Sequence, residues 1–232
     1  MKEAIPLSET SMKIFSGLSD SYDLVLDYAT LLQDRRWKDW VTRNAGFERG
    51  MRVLDVGCGT CVLEERMRRD LDLVGLDLSP EMLRIGKAKR LPGIHSLVLS
   101  DGQSLPFGDS SFDVVLSCYV VKYCDVQRFV SEASRVLRPG GKLALYDFVR
   151  PRGSFWPGNA VYTYGGLRIV GKLLELGGAK NAYTFSALPT IIEKRPWEVG
   201  FAEALGRHGF SDVEEKVLPG GVAIGFRGKK RP

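Results

Sequence analysis

Val53-Leu54-Asp55-Val56-Gly57-Cys58-Gly59-Thr60 is an apolar strand that runs into a turn carrying two glycines, and this stretch decides the fold. A short continuous apolar run bounded by glycines suits a strand buried on both faces, as in a parallel sheet. The turn after such a strand is where the backbone can approach a sugar or a phosphate closely. A second apolar strand, Leu73-Val74-Gly75-Leu76, closes on Asp77, about twenty residues beyond the glycines, where an acid can accept hydrogen bonds from ribose hydroxyls. Nicotinamide or flavin dinucleotides and S-adenosylmethionine share this geometry. Val62 stands where the dinucleotide fingerprint has its third glycine, and Glu64 and Glu65 put negative charge where a pyrophosphate would need an open helix N-terminus. Both features favour a cofactor without phosphates.

From about Met51 to Tyr146, short apolar segments alternate with amphipathic ones, the signature of a parallel sheet covered by helices. The pattern predicts strands at 52–56, 72–77, 95–99, 112–118 and 142–148, with helices at 60–69, 79–90 and 125–137. Ser79 is the expected N-cap of the second helix with Pro80 at its first position, and Pro139-Gly140-Gly141 ends the third. A helix near 198–207 and paired strands at 210–217 and 222–226, joined through Pro219-Gly220-Gly221, complete the chain. The expected fold is α/β: a doubly wound, seven-stranded, mostly parallel sheet with an N-terminal helical lid and an insertion after strand five. Residues 1–50 form the lid, with helices at 12–18 and 24–45. Residues 51–150 form the core, 151–195 the insertion and 196–232 the last helix and two strands. The insertion carries Phe155, Trp156, Tyr162, Tyr164, Tyr183 and Phe185, and Leu167, Val170, Leu173, Leu174 and Leu176 suggest one amphipathic helix in it. These aromatics are either the core of a subdomain or a wall of an apolar pocket.

The chain of 232 residues with 44% hydrophobic content can bury a substantial core unaided. No apolar run reaches the eighteen or so residues of a membrane span, and the N-terminus lacks the apolar core of a signal peptide, so a cytosolic protein is expected. The net charge of +5 is too modest to mark a nucleic-acid binder. It comes largely from Arg35, Arg36, Lys38, Arg43 and the tail Arg227 to Arg231; a solvated face is the plain reading and contact with anionic lipid headgroups the sharper one. Cys58, Cys61, Cys118 and Cys124 form no secreted disulfide framework. Cys58-Gly59-Thr60-Cys61 spells a C-x-x-C, but no second pair follows and His95 and His208 lack ligand spacing, so no metal is expected.

Further runs carry a resemblance. Asp101-Gly102-Gln103-Ser104-Leu105-Pro106-Phe107, then Ser111-Phe112-Asp113-Val114-Val115, and Arg135-Val136-Leu137-Arg138-Pro139-Gly140-Gly141 resemble signatures of the class I S-adenosylmethionine-dependent methyltransferases, over residues 51–148. The flanks Tyr22-Asp23, Asp34-Arg35-Arg36-Trp37-Lys38 and Ala182 to Pro189 are similar to those of the ubiquinone/menaquinone C-methyltransferases. The resemblance implies a Rossmann-like methyltransferase fold, S-adenosylmethionine as cofactor, and methylation of a ring carbon on a prenylated hydroquinone by a monomer or homodimer. It places Asp55, Gly57, Cys58 and Gly59 against the methionine and ribose portions, Asp77 on the ribose, Asp101 on the adenine amine, and Leu78, Met82, Gly102 and Cys118 around the same pocket. The family also carries an arginine after strand four, implicated in activating the ring; Cys118-Tyr119-Val120-Val121-Lys122 stands there, with Val121 at the arginine position and Lys122 one place along.

Carbon methylation requires a phenolic proton to leave as the ring attacks, so a base or a proton-accepting group is needed. Tyr22 and Asp23 in the N-terminal segment and Tyr119, Lys122 or Tyr123 after strand four are the candidates, Tyr22 and Tyr119 for orientation and Lys122 for stabilising a phenolate. Another small acceptor, such as a phenol, sterol or polyketide, stays open, as do a non-catalytic S-adenosylmethionine-binding protein and a dinucleotide oxidoreductase.

Overall fold

The computed structural model describes residues 32–151 and 182–232, with Leu26, Asp27, Thr30 and isolated positions between 158 and 176; side chains are described from Leu188 onward in the second stretch. The helix expected at 12–18, most of that expected on Leu167 to Leu176, most of the aromatic insertion, and the candidates Tyr22 and Asp23 lie outside the described residues.

Seven strands form one sheet: β1 (Arg52–Val56), β2 (Asp72–Asp77), β3 (Ile94–Leu99), β4 (Phe112–Cys118), β5 (Leu137–Phe148), β6 (Phe210–Val217) and β7 (Ala223–Lys230). Their order is β3-β2-β1-β4-β5-β7-β6. The first five run parallel, and β7 pairs antiparallel with both β5 and β6. Chain order reverses between β1 and β4, and the loops leaving those strands part there and open a crevice beyond their C-terminal ends. The five helices with a described extent are α1 (Gln33–Ala45), α2 (Pro80–Ala88), α3 (Val126–Val136), α4 (Ala182–Lys194) and α5 (Phe201–Arg207).

Strand alternation sends side chains to two cores. Leu54, Val56, Val74, Leu76 and Val115 pack with Phe129 and Val130 of α3 and with Phe201 and Leu205 of α5. Val53, Leu73, Val114, Leu116 and Tyr146 pack on the other face with Trp37, Val41 and Ala45 of α1. Of the N-terminal segment expected as a lid, the described helix α1 packs on one face of the sheet. Trp37, Val41 and Ala45 are fully buried, and Gly225 of β7 leaves room for Trp40, whose ring a Cβ there would approach to 2.3 Å. Trp37 Nε1 donates to the Pro219 carbonyl at 2.8 Å, tying the helix to the β6–β7 turn.

Ser79 caps α2 by accepting from Met82 N, and Asp125 caps α3 by accepting from Arg128 N. Three boundaries differ from expectation. Residues 60–69 form turns and one 3₁₀ turn, Glu64–Arg66, in place of a full helix, because Cys61 sits in the left-handed region at φ 64 and the chain closes i→i+3 bonds from Cys61 N to Cys58 O (2.9 Å) and Arg66 N to Leu63 O (3.0 Å). Pro139-Gly140-Gly141 lies inside β5, where the pairing with β4 shifts register between Phe112 and Val114. Within the expected insertion, Ala182–Lys194 is helical despite Pro189.

Candidate active site

Gly57 and Gly59 follow β1 with φ 83 and 54, conformations that residues with a side chain adopt only under strain. A Cβ on Gly57 would lie 2.0 Å from Val120 Cγ2, so the close approach of the two loops also requires glycine there. Nothing stands within 4 Å of the position a Cβ would take on Gly59, which leaves the turn's outer side open for a ligand. Asp77, at the end of β2, accepts from Gly59 N (2.9 Å) and Ser79 N (2.8 Å), lashing the two strand ends together. Burial pushes its carboxyl upward from the ordinary value. Each of its oxygens keeps a second lone pair for a ligand hydroxyl.

These elements border one cavity with about 1020 Å³ of empty space, part of it open to solvent. Asp55, Gly57, Cys58, Gly59, Asp77, Leu78, Met82, Asp101, Gly102 and Cys118 all line it, although they come from four different loops and strand ends. Asp101 holds its own loop by accepting from Gln103 N at 2.9 Å. Gly102 is needed because a Cβ would come within 2.6 Å of Val56 Cγ1. Asp55 is only 4% exposed and its Oδ1 meets no donor among the described residues; burial pushes its carboxyl up to about 6. Glu64 is also buried, and desolvation together with the Asp55 charge raises it well above its ordinary value.

The acceptor end differs most from the sequence reading. Tyr119 lines the cavity at φ 66, and its hydroxyl donates to Asp34 Oδ1 at 2.5 Å. Tyr146 donates to the same oxygen at 3.0 Å, and the Lys38 ammonium bonds Asp34 Oδ2. Burial, then the neighbouring Asp34 charge, holds the Tyr119 hydroxyl protonated well above the usual range. Lys122 does not line the cavity. Its ammonium pairs with Asp147 Oδ1 at 2.8 Å, bonds the Tyr119 carbonyl and stands 4.4 Å from the centroid of the Tyr123 ring. Its side chain is 2% exposed and that of Asp147 fully buried, so the expected phenolate-stabilising cation is instead a neutralised brace between this loop and β5. The reason is local: Val121 to Tyr123 form a 3₁₀ turn folded into the core, while Cys118, Tyr119 and Val120 stay partly exposed toward the cavity.

Lys38 is the one Lys or Arg side chain among the described residues that lines the cavity, and it comes from α1, one turn after Asp34. Sequence reasoning named both in a flanking resemblance but not as site residues, although Asp34 and Lys38 stand at i,i+4 on one helix face. It gave Arg135 a place in a signature run but no role. That guanidinium bonds the Leu105 and Phe107 carbonyls at 2.9 and 2.7 Å, while Glu132 accepts from Leu105 N at 2.7 Å, so the two residues clamp the loop that carries Asp101 and Gly102.

With this geometry in place, the chain matches the ubiE/COQ5 methyltransferase family over residues 6–230. It belongs to that family. A demethylmenaquinone methyltransferase of Renibacterium salmoninarum is 33% identical over 220 residues, covering 94% of this chain and 90% of that protein. A ubiquinone/menaquinone biosynthesis C-methyltransferase UbiE of Geobacter is 29% identical, covering 97% and 99%. Among solved structures, the phosphoethanolamine N-methyltransferase 2 of Haemonchus contortus in complex with S-adenosyl-L-methionine has the same fold, with TM-score 0.64 at 14% identity, covering 100% of this chain and 61% of that one. A putative methyltransferase of Haloferax volcanii, bound to its Trm112 activator, gives TM-score 0.59 at 19% identity, covering 93% and 100%.

The protein is therefore an S-adenosylmethionine-dependent methyltransferase of Rossmann-like fold. The cavity fits that cofactor on its own terms: an open glycine turn, an acid at the end of β2, and a buried carboxylate oxygen without a donor where a cationic amino group would be welcome. Among the described residues no helix is long and apolar enough to cross a membrane.

Proposed function

We propose that this methyltransferase alkylates a ring carbon of a prenylated hydroquinone, and that Tyr119 and Asp34 carry away the phenolic proton. The observation that carries this reading is the 2.5 Å hydrogen bond from the Tyr119 hydroxyl to Asp34 at the cavity wall. The bound cofactor supplies a methyl group on a sulfonium, so its leaving group is already formed. Asp77 and Asp101 hold the ribose and the adenine amine, and Met82, Leu78 and Cys118 wall the pocket against water. Holding donor and acceptor in line supplies roughly 7–11 kcal/mol of the barrier lowering.

A neutral tyrosine is a poor base by itself. Backed by a carboxylate it becomes a relay: its oxygen takes the phenolic proton as its own proton passes to Asp34 Oδ1. Lys38 then faces the negative charge that develops on the acceptor oxygen, the task the resemblance gives to an arginine where Val121 now lies buried. The names of the relatives, demethylmenaquinone methyltransferase and ubiquinone/menaquinone C-methyltransferase, support a quinol as the acceptor.

The test supplies labelled S-adenosylmethionine with a short-chain demethylmenaquinol kept reduced, beside a panel of phenols. Label on the quinol ring carbon is the expected result. Label on another acceptor and none on the ring would overturn the quinol assignment.

A further inference from the structure

We propose that Cys58, Cys61 and Glu64 form a binding site for a soft divalent cation of the zinc class beneath the cofactor turn, with water in the fourth position. The C-x-x-C alone is half a site. The tight turns between Cys58 and Arg66 complete it by bringing positions 58, 61 and 64 to one side. One ligand atom from each, two sulfurs and a carboxylate oxygen, lie within 4.8 Å of one another, and all three residues are buried.

Three further observations point to a ligand. Both carboxylate oxygens of Glu64 and Oδ1 of Asp55 are buried and meet no donor among the described residues. Without a metal, Glu64 keeps a proton that Asp55 can share, and a bound cation would take that proton's place. The sulfurs occupy space made by two glycines inside regular elements. A Cβ on Gly75 of β2 would lie 2.8 Å from Cys58 Sγ, and one on Gly86 of α2 would lie 2.6 Å from Cys61 Sγ. Glycine in an element interior is less stable than alanine. Finally, Cys61 holds a left-handed backbone at φ 64, where glycine would be unstrained, so the thiol is kept against a conformational cost.

The donor set selects the metal. Two thiolates with a carboxylate oxygen suit zinc, whereas magnesium and calcium take all-oxygen shells. Binding converts two thiols to thiolates and releases their protons to solvent, along with any proton held between Asp55 and Glu64; no electron moves. Cys58 and Asp55 also line the cofactor cavity, so a divalent cation here opposes the positively charged cofactor. The site is thus predicted to lower cofactor affinity when filled.

The test uses the full chain, reduced and stripped with a chelator, titrated with cobalt(II) as a spectroscopic stand-in. One cobalt per chain with a thiolate-to-metal band in the near ultraviolet, displaced by zinc, is expected. Cys61→Gly fits the left-handed backbone and removes one sulfur, and Glu64→Gln keeps the shape; both should weaken cobalt binding at least tenfold, and Cys61→Gly should diminish the band. By calorimetry, zinc should weaken S-adenosylmethionine binding severalfold in the wild type and leave it unchanged in Cys61→Gly. A reduced protein that takes up no cobalt, cobalt bound without a thiolate band, or a band unaltered in Cys61→Gly would each overturn the site, and none of these depends on the methyl acceptor.

Discussion

Two buried lysine–aspartate pairs meet the same loop from opposite sides, and only one of them faces the cavity. Lys122 stands between the cavity-lining Val120 and Tyr123, yet its side chain and that of Asp147 are closed into the core and satisfied by each other, by the Tyr119 carbonyl and by backbone amides at 122 and 148. Lys38 and Asp34 come from a helix more than eighty residues upstream, are nearly as buried, and stand where Tyr119 and Tyr146 reach them. Charge and burial do not separate the two pairs. Their relation to the cavity does, and that relation depends on how α1 crosses the sheet.

The largest effect should follow from breaking the closed pair. Asp147→Ala leaves the Lys122 ammonium buried with no carboxylate and should cost about 3–5 kcal/mol in urea unfolding. The double variant Lys122→Met with Asp147→Leu removes both charges and should recover most of that stability and keep methyl transfer. Loss of transfer in a well-folded double variant would erase the contrast between the pairs.

At the cavity pair the expected effect is on turnover. Tyr119→Phe keeps the ring among Trp37, Tyr146 and Phe148 but removes the proton path to Asp34, so kcat should fall about 10²–10⁴-fold with cofactor affinity preserved. A kcat near that of the wild type would return Tyr119 to a packing role. Lys38→Met keeps the length of the chain without the charge, and about tenfold in kcat is expected, since Asp34 already offsets part of the ammonium's field. Its stability cost should be smaller than that of Asp147→Ala, because Asp34 retains two tyrosine donors.

The cofactor half of the site was legible in the sequence because its residues are set by strand ends. Once Val53 to Val56 and Leu73 to Leu76 are neighbouring parallel strands, Gly57, Asp77 and Asp101 must converge at one edge, whatever the loops do in detail. The acceptor half was not legible in the same way. Counting along the loop after β4 put a cation at Lys122, but a 3₁₀ turn carries that side chain into the core. Asp34 and Lys38 were visible as an i,i+4 pair, yet nothing local says that this end of α1 reaches the cavity. The helix expected over 60–69 failed on Cys61, whose left-handed backbone no propensity assigns to a cysteine. Gly225 and Trp40, which bring α1 down onto β7, are a tertiary match that neither segment announces alone.

A third ion pair, partly exposed, sets the scale for the other two. Glu132 and Arg135 have side chains 21% and 31% exposed, and they act on the cofactor half by clamping the loop after Asp101. The Arg135 guanidinium holds the Glu132 carboxyl below its ordinary 4.5. A depressed acid stabilises the fold fully above its unfolded value and loses that contribution as pH falls through the folded one. Glu132→Gln should therefore cost no more than ~1 kcal/mol at neutral pH, and the ionic part of that difference should fade as the medium is acidified below the ordinary value. Urea midpoints of wild type and variant across that range measure it. A difference that stays constant into acid would assign the clamp to the Leu105 amide contact alone, with the charge contributing nothing, and the contrast between exposed and buried pairs would then be wider still.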